Sequence, residues 1–338
     1  MSMLHLQIVR FGQSVKALRT PVSSAYRRHF RLALGSLCLV ALGLLAMGKQ
    51  AEFTALLTQL RQGDINLHLG WLTMALLLVL PNWYLEASKL YQCLSRQAAI
   101  TLSQCLRAVL CGVFLGLFTP ARLGEYGGRL VPFRDRPKAE VLKATFVGSL
   151  SQTVVTVAFG LVGLVYSVQL TEFVGLPTHT LLWVGSGMMA MLILVAFNLS
   201  RILKWISQTR LGARLLCHDH VISSRLLLKV IGLSAVRYVL YSLQYVIVLV
   251  AFGAELPLLA LYGGVTVTYL IQTLLPIPPL SSLVGRVGVA ALVFSMVGVP
   301  AIVVLSATLT LWIINLLAPA FLGVMVMTSQ NPDSHQMA

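Results

Sequence analysis

Residues 102–138 read LSQCLRAVLCGVFLGLFTPARLGEYGGRLVPFRDRPK, and the way this stretch meets a bilayer decides the fold. Residues 102–118 are apolar and end at Thr119-Pro120. Cations follow at once: Arg122, Arg129, Arg134, Arg136 and Lys138. A single crossing at 102–118 would carry all of them to the outer face, against the preference of Lys and Arg for cytoplasmic loops. The stretch is therefore expected to enter and leave on one side, as a re-entrant or broken-helix hairpin. Irregular backbone survives at membrane depth only where protein or a wet cavity satisfies its polar groups. The competing reading is an ordinary tight turn between two short helices.

Composition makes the bilayer the right frame. The chain is 57% hydrophobic and only 10% charged, with a mean hydropathy of +0.85. A soluble chain carries about 25% charged residues to cover its core, so lipid must solvate much of this surface. The formal net charge of +15 raises nucleic acid as a partner, but the distribution argues against it. Residues 1–31, 89–143 and 201–229 hold 21 of the 25 Lys and Arg, and each cluster abuts a long apolar run. That is the positive-inside pattern, and such loops are drawn to anionic lipid headgroups. No nucleic-acid partner is expected. Cys38, Cys93, Cys105, Cys111 and Cys217 are scattered without a CxxC pair, which favours free thiols.

Apolar runs long enough to cross a ~30 Å hydrocarbon core predict full spans near 30–47, 70–90, 143–168, 180–198, 226–252 and 300–327. The first carries a long basic flank and reads as an uncleaved span rather than a signal peptide. Started from the inside, this count returns every basic cluster to the cytoplasmic face and leaves both termini there. Residues 257–298 are the second exception. They are apolar throughout, yet broken by Leu275-Pro276-Ile277-Pro278-Pro279 and by Gly285-Arg286. The expected fold is thus all-α: a polytopic bundle of about six full spans and two re-entrant or broken-helix hairpins. One hairpin in each half, entering from opposite faces, is the layout of an inverted repeat around a central site. Leu4, Ile8, Phe11, Val15 and Leu18, and separately Ile202, Trp205, Ile206, Ala213 and Leu216, follow helical spacing beside basic residues. Such helices lie in the headgroup plane. The expected organisation is a basic amphipathic cytoplasmic segment at 1–29, a transmembrane domain at 30–327 and a short tail at 328–338.

The chemistry-bearing residues cluster around the first break. Thr119 followed by Pro120 is a good helix start, with Thr as cap and Pro in the first turn. A helix N-terminus suits an anion, and the guanidinium forks of Arg122 and Arg129 match phosphate. Glu125 is three and four residues from those arginines and can orient one of them. These residues make a phosphate-headgroup site at the cytoplasmic edge. Alternatively, Gly124 and Gly128 form a small-xxx-small packing face and the charges sit among headgroups.

Glu86 is an acid in an apolar helix and is expected to face the bundle interior with a partner. Lys89 at i+3 is the local candidate, and an arginine of 119–129 the distal one. Arg237 lies midway along 226–252, too deep to reach either surface, with Tyr241, Gln244 and Tyr245 on its helical face. Ser149, Gln152, Thr153 and Thr156 form a similar stripe. Polar stripes often act only as interhelical glue, but a buried arginine points to function or gating. Arg286, with Gln272 and Thr273 nearby, repeats the Pro, Gly and Arg mix of the first break, or is one surface arginine in a loop.

Catalytic signals are absent from the sequence: no HExxH, GxSxG or P-loop. His218-Asp219-His220 reads as a surface cluster rather than a metal site. No metal or cofactor is expected.

Taken together, Thr119-Pro120-Ala121-Arg122-Leu123-Gly124-Glu125 with Arg129 resembles the signature of the lysylphosphatidylglycerol synthase transmembrane, or flippase-like, family. Asn82-Trp83 with Glu86 and Lys89 is similar to its second-helix motif, and Gly285-Arg286 to its later proline–glycine–arginine region. The resemblance covers roughly residues 25–327. It departs after Arg286, where Val287-Gly288-Val289 stands in place of the glutamate often found there, so no role is carried over to an acid at that point. The resemblance implies a module that translocates a phospholipid or lipid-linked headgroup. The synthase domain of larger members is not expected in a chain ending eleven residues after its last span, so aminoacylation is not expected either.

Three functions follow as expectations. The first is an anionic-lipid flippase of the cell membrane using Arg122, Glu125, Arg129, Thr119, Glu86, Lys89, Arg237, Tyr241, Gln152 and Arg286. The second is a membrane-embedded transferase with Glu86 or Glu125 as base. The third is a non-catalytic partner of a membrane enzyme. Partners are membrane lipids, with a homo-oligomer or a membrane-enzyme partner left open.

Overall fold

A computed structural model describes residues 68–94, 100–119, 122–133, 136–166, 223–274 and 282–329, with isolated positions between 58 and 201. The chain divides into two compact units, Thr54–Val326 and Met1–Phe53 with Met327–Ala338; the packing below is that of the first. The span expected at 30–47, most of 180–198, both amphipathic segments, the His218 cluster and the proline run at 275–279 lie outside the described residues.

Among the described residues every regular element is helical. Four helices are long and apolar enough to cross a membrane: Leu69–Leu94, Lys138–Leu164, Ser224–Ala251 and Ala301–Thr328. They coincide with four of the expected full spans. The first is broken into α1 (Leu69–Leu77) and α2 (Val79–Leu94). Pro81 explains the break: it has no N–H to give the carbonyl four residues back, and its ring crowds that carbonyl.

The segment at 102–129 forms a helical hairpin. Its first arm, α3 (Leu102–Leu117), starts at a capping box. Thr101 Oγ1 accepts from the Gln104 amide at 3.2 Å, and Gln104 Oε1 accepts from the Thr101 amide at 3.1 Å. Sixteen residues rise about 24 Å, short of a full hydrocarbon core. The return arm, α4 (Gly124–Arg129), runs antiparallel against it. A Cβ at Gly124 would overlap the Leu115 carbonyl, and one at Gly128 the Cys111 carbonyl. Only glycine allows this approach, so the small-residue packing face exists and builds the hairpin.

The described helix after the Thr-Pro pair begins at Gly124. Arg122 takes a left-handed backbone, φ 58°, which turns the chain before a helix can propagate, so α4 begins at Gly124. Thr119 still serves it from five residues back: its hydroxyl accepts the Gly124 N–H at 2.6 Å.

The long helix α5 (Lys138–Tyr166) leads away from the hairpin. Helix α6 (Ser224–Ala251) is capped by Ser223, whose hydroxyl accepts the Leu226 amide at 3.3 Å. The second hairpin consists of α7 (Leu258–Leu274) and α8 (Ser282–Ser295). A Cβ at Gly264 would press on the Phe294 ring, and Gln272 Nε2 donates to the Arg286 carbonyl at 3.2 Å, so these arms are also antiparallel. The last span is α9 (Ala301–Trp312), a π-helical turn at Ile313–Leu317, and α10 (Ala318–Ser329).

Two apolar clusters anchor the bundle. One joins Ala75 to the C-terminal half of α6, α7, α8 and α9 through residues such as Leu249, Leu261, Phe294 and Val304. The other joins α2, α3 and α5 through Leu90, Leu94, Cys105, Val109 and Val141. Along α6, a third and smaller cluster takes Leu226, Leu227 and Val230. Arg237 lies on the stretch of α6 between that cluster and the large core beginning at Tyr245.

Candidate anion site

Glu86 is the centre of the polar interior. It sits on α2, one turn after Asn82 and one turn before Lys89, so the three side chains share a face. All three are buried, Lys89 to 1% exposure. Three cations converge on the Glu86 carboxylate. Arg129 Nη2, from the return arm of the hairpin, lies 2.5 Å from Oε1. Lys89 Nζ lies 2.7 Å and Arg237 Nη1 2.9 Å from Oε2. Arg129 Nη2 also contacts Glu125 Oε1, so one guanidinium joins two carboxylates that would otherwise repel. Arg122 Nη2 closes the chain at 3.2 Å from Glu125 Oε2.

Neutral amides complete the shell. Arg237 Nε donates to Asn82 Oδ1 at 2.9 Å. Gln152 Oε1, from α5, accepts from both Lys89 Nζ at 3.1 Å and Arg237 Nη1 at 3.2 Å. Gln152 Nε2 lies 3.5 Å from Tyr241 Oη, which is also 3.4 Å from Thr156 Oγ1. The Arg237 guanidinium lies 5.9 Å from the centre of the Tyr241 ring, within cation–π range. Tyr241 then continues into an aromatic group, with ring centroids 5.1 Å from Tyr238 and 4.9 Å from Tyr269.

The local backbone explains how these charges reach the interior. Since Gly112 carries no Cβ, the stems of Arg129 and Glu125 lie directly on α3; a Cβ there would sit 2.9 Å from Arg129 Cγ and 3.2 Å from Glu125 Cγ. The left-handed turn at Arg122 places its guanidinium on Glu125 from the hairpin tip. A non-glycine residue in that conformation carries a strain of order 1 kcal/mol or more.

The sequence places a headgroup site at 119–129 and, apart from it, a buried arginine at Arg237 pointing to function or gating. The structure merges them: Glu86, Lys89, Arg122, Glu125, Arg129, Gln152, Arg237 and Tyr241 belong to one connected network. Thr119 stays at the hairpin tip and is spent on the Gly124 amide. Arg286 bridges the second hairpin, with Nη1 3.5 Å from Gln272 Oε1.

The polar stripe expected along α6 divides. Arg237 and Tyr241 serve the network, whereas Gln244 and Tyr245 turn to other partners. Gln244 Nε2 donates to the Ala75 carbonyl at 2.8 Å, near the end of α1, and its Oε1 accepts from Asn315 Nδ2 at 2.9 Å. Tyr245 Oη pairs with Thr308 Oγ1 at 2.6 Å. On α5, Thr153 bonds back to the Ser149 carbonyl instead of joining the network.

Two contributors take roles that the sequence reading does not assign to them. Asn82 is an Arg237 ligand, and its position four residues before Glu86 is the signal that points to it. Gly112 is needed for the close packing of the two arms, and its spacing of four from Gly116 mirrors Gly124 and Gly128.

Residues 31–323 match the model of a family described as the lysylphosphatidylglycerol synthase TM region. Comparison with curated proteins gave no match.

Proposed function

The chain belongs to the lysylphosphatidylglycerol synthase transmembrane family, and from that premise we propose that it moves an anionic phospholipid or lipid-linked headgroup across the cytoplasmic membrane. The observation that carries this reading is the excess of cations over carboxylates in the buried Glu86 network. Arg122 is the headgroup contact: its side chain is 38% exposed, while Arg129 behind it is 2% exposed. Glu125 and Arg129 orient it, and Glu86, Lys89 and Arg237 extend the positive interior across the bundle. The two hairpins, one in each half of the chain, alternate access to this interior, with the basic loops and both termini on the cytoplasmic side.

The same geometry disfavours a membrane-embedded transferase with an acid as base. Both Glu86 oxygens and both Glu125 oxygens face cations, which leaves neither carboxylate disposed to take a proton from a substrate. The test is a proteoliposome assay with headgroup-labelled anionic lipid and the full chain. Labelled lipid is expected to cross with the wild-type protein and to stall with the Arg122→Ala/Glu125→Ala protein. Unchanged crossing in the double variant would sink the proposal.

A further inference from the structure

The charge carried by the ligand can be read from the same network, on the premise that it binds an anionic headgroup. Among the described residues four cations, Lys89, Arg122, Arg129 and Arg237, face two carboxylates, Glu86 and Glu125, an excess of two positive charges. The remaining contacts do not balance them. Asn82 Oδ1 and Gln152 Oε1 satisfy N–H groups of Arg237 and Lys89 with neutral dipoles. The other described acids, Glu140 and Glu255, lie at the start of α5 and beyond the end of α6.

Lys89 and Arg129 are buried while Arg237 and Arg122 are 23% and 38% exposed, and excess charge of one sign beside an apolar interior is costly unless a counter-charge arrives. Two donors also await an acceptor. The Nε atoms of Arg122 and Arg129 are buried and make no hydrogen bond, and Arg129 is itself 2% exposed. An unsatisfied donor on a buried charged group is the kind of feature that a ligand oxygen resolves.

We propose that the ligand group is a dianionic phosphate, a phosphomonoester or a diphosphate, in preference to a singly charged phosphodiester. A phosphodiester cancels one of the two surplus charges and leaves the other uncompensated. A phosphomonoester carries about −1.5 to −2 near neutral pH, with a second ionisation near ~6, and offers three oxygens to the guanidinium groups. The lipid class is therefore one whose phosphate is terminal or part of a diphosphate link. A soluble phosphate ester presents the same chemistry, and the experiment separates the two sources.

The full chain in detergent is offered equal amounts of dioleoyl phosphatidic acid and dioleoyl phosphatidylmethanol at about pH 8, above the second phosphate ionisation. The two lipids differ by one methyl group and one charge. Native mass spectrometry then counts which lipid remains bound. Phosphatidic acid is expected to be retained roughly tenfold or more over phosphatidylmethanol, the effect of one further charge-assisted contact. Arg122→Gln, which removes one surplus charge, is expected to narrow that ratio. Displacement of phosphatidic acid by inorganic pyrophosphate at comparable concentration supports the dianionic site but assigns it to a soluble phosphate compound. Equal retention of the two lipids overturns the inference and leaves the headgroup reading intact. Retention of neither lipid above a phosphatidylcholine control overturns both.

Discussion

Glu86 and Arg129, forty-three residues apart in sequence, meet with Arg129 Nη2 2.5 Å from Glu86 Oε1, and both side chains are almost wholly withdrawn from solvent. This pair ties the first described span to the return arm of the hairpin. It also gathers Lys89, Arg237 and Glu125 around two shared centres. Removing one member of such a group leaves a buried charge uncompensated, which costs far more than the net worth of the pair.

Glu86→Gln is therefore expected to destabilise the protein by about 3–5 kcal/mol, read as a lowered unfolding temperature in detergent. Adding Arg237→Gln removes one stranded cation, so the double variant should recover part of that loss. A double-mutant cycle with no coupling would show that the two groups do not share the network.

The hairpin depends on backbone contact at Gly128. Gly128→Ala pushes a methyl group into the Cys111 carbonyl and is expected to cost about 1–3 kcal/mol, as overpacking does. Gly127 is one residue away on the exposed side, and a methyl group added there would meet nothing within 4 Å. Gly127→Ala should be neutral, or stabilising by up to ~1 kcal/mol, since alanine favours the helix. Thermal unfolding of the two variants side by side checks the prediction; equal losses would contradict the packing described.

Arg122 and Arg129 should separate function from folding. Arg122 is partly exposed and holds one ion pair with Glu125, so Arg122→Gln should change stability by no more than about 1 kcal/mol. Lipid movement in proteoliposomes should nonetheless fall. Arg129→Gln strands both Glu86 and Glu125 and is expected to lower the unfolding temperature strongly. If both variants unfold alike while transport is spared in Arg122→Gln, Arg122 is not the headgroup contact.

Gln244 lies apart from the charged network and links α1 to the π-helical turn. Gln244→Leu is expected to cost about 0.6–1.7 kcal/mol, the range for polar contacts between helices in membranes, without altering lipid selectivity. Unfolding measurements on Gln244→Leu with and without Asn315→Leu should reveal coupling between the two amides.

Much of this arrangement is legible in the sequence. The spans at 70–90, 143–168, 226–252 and 300–327 follow from apolar length alone, because about 20 mostly apolar helical residues are needed to cross the hydrocarbon core. The hairpin at 102–129 follows from the conflict between an apolar run and the five cations after it. Helical spacing names Lys89 as the local partner of Glu86, and the distal partner is indeed an arginine of 119–129. The start of α4 is not legible in the same way, because the left-handed turn at Arg122 is a conformation that a Thr-Pro pair does not announce.

Periodicity, hydropathy and charge placement are enough to establish that the chain is a helical membrane bundle with its arginines at unusual depth. These are local properties, set by what each segment can bury in lipid. Which arginine meets which acid is decided only by the fold. Arg129 and Arg237 reach Glu86 because glycines let the hairpin arms touch and because α2, α5 and α6 present Asn82, Gln152 and Arg237 to one place. Contacts between groups that lie dozens of residues apart depend on helix packing, and spacing along the chain carries no record of it.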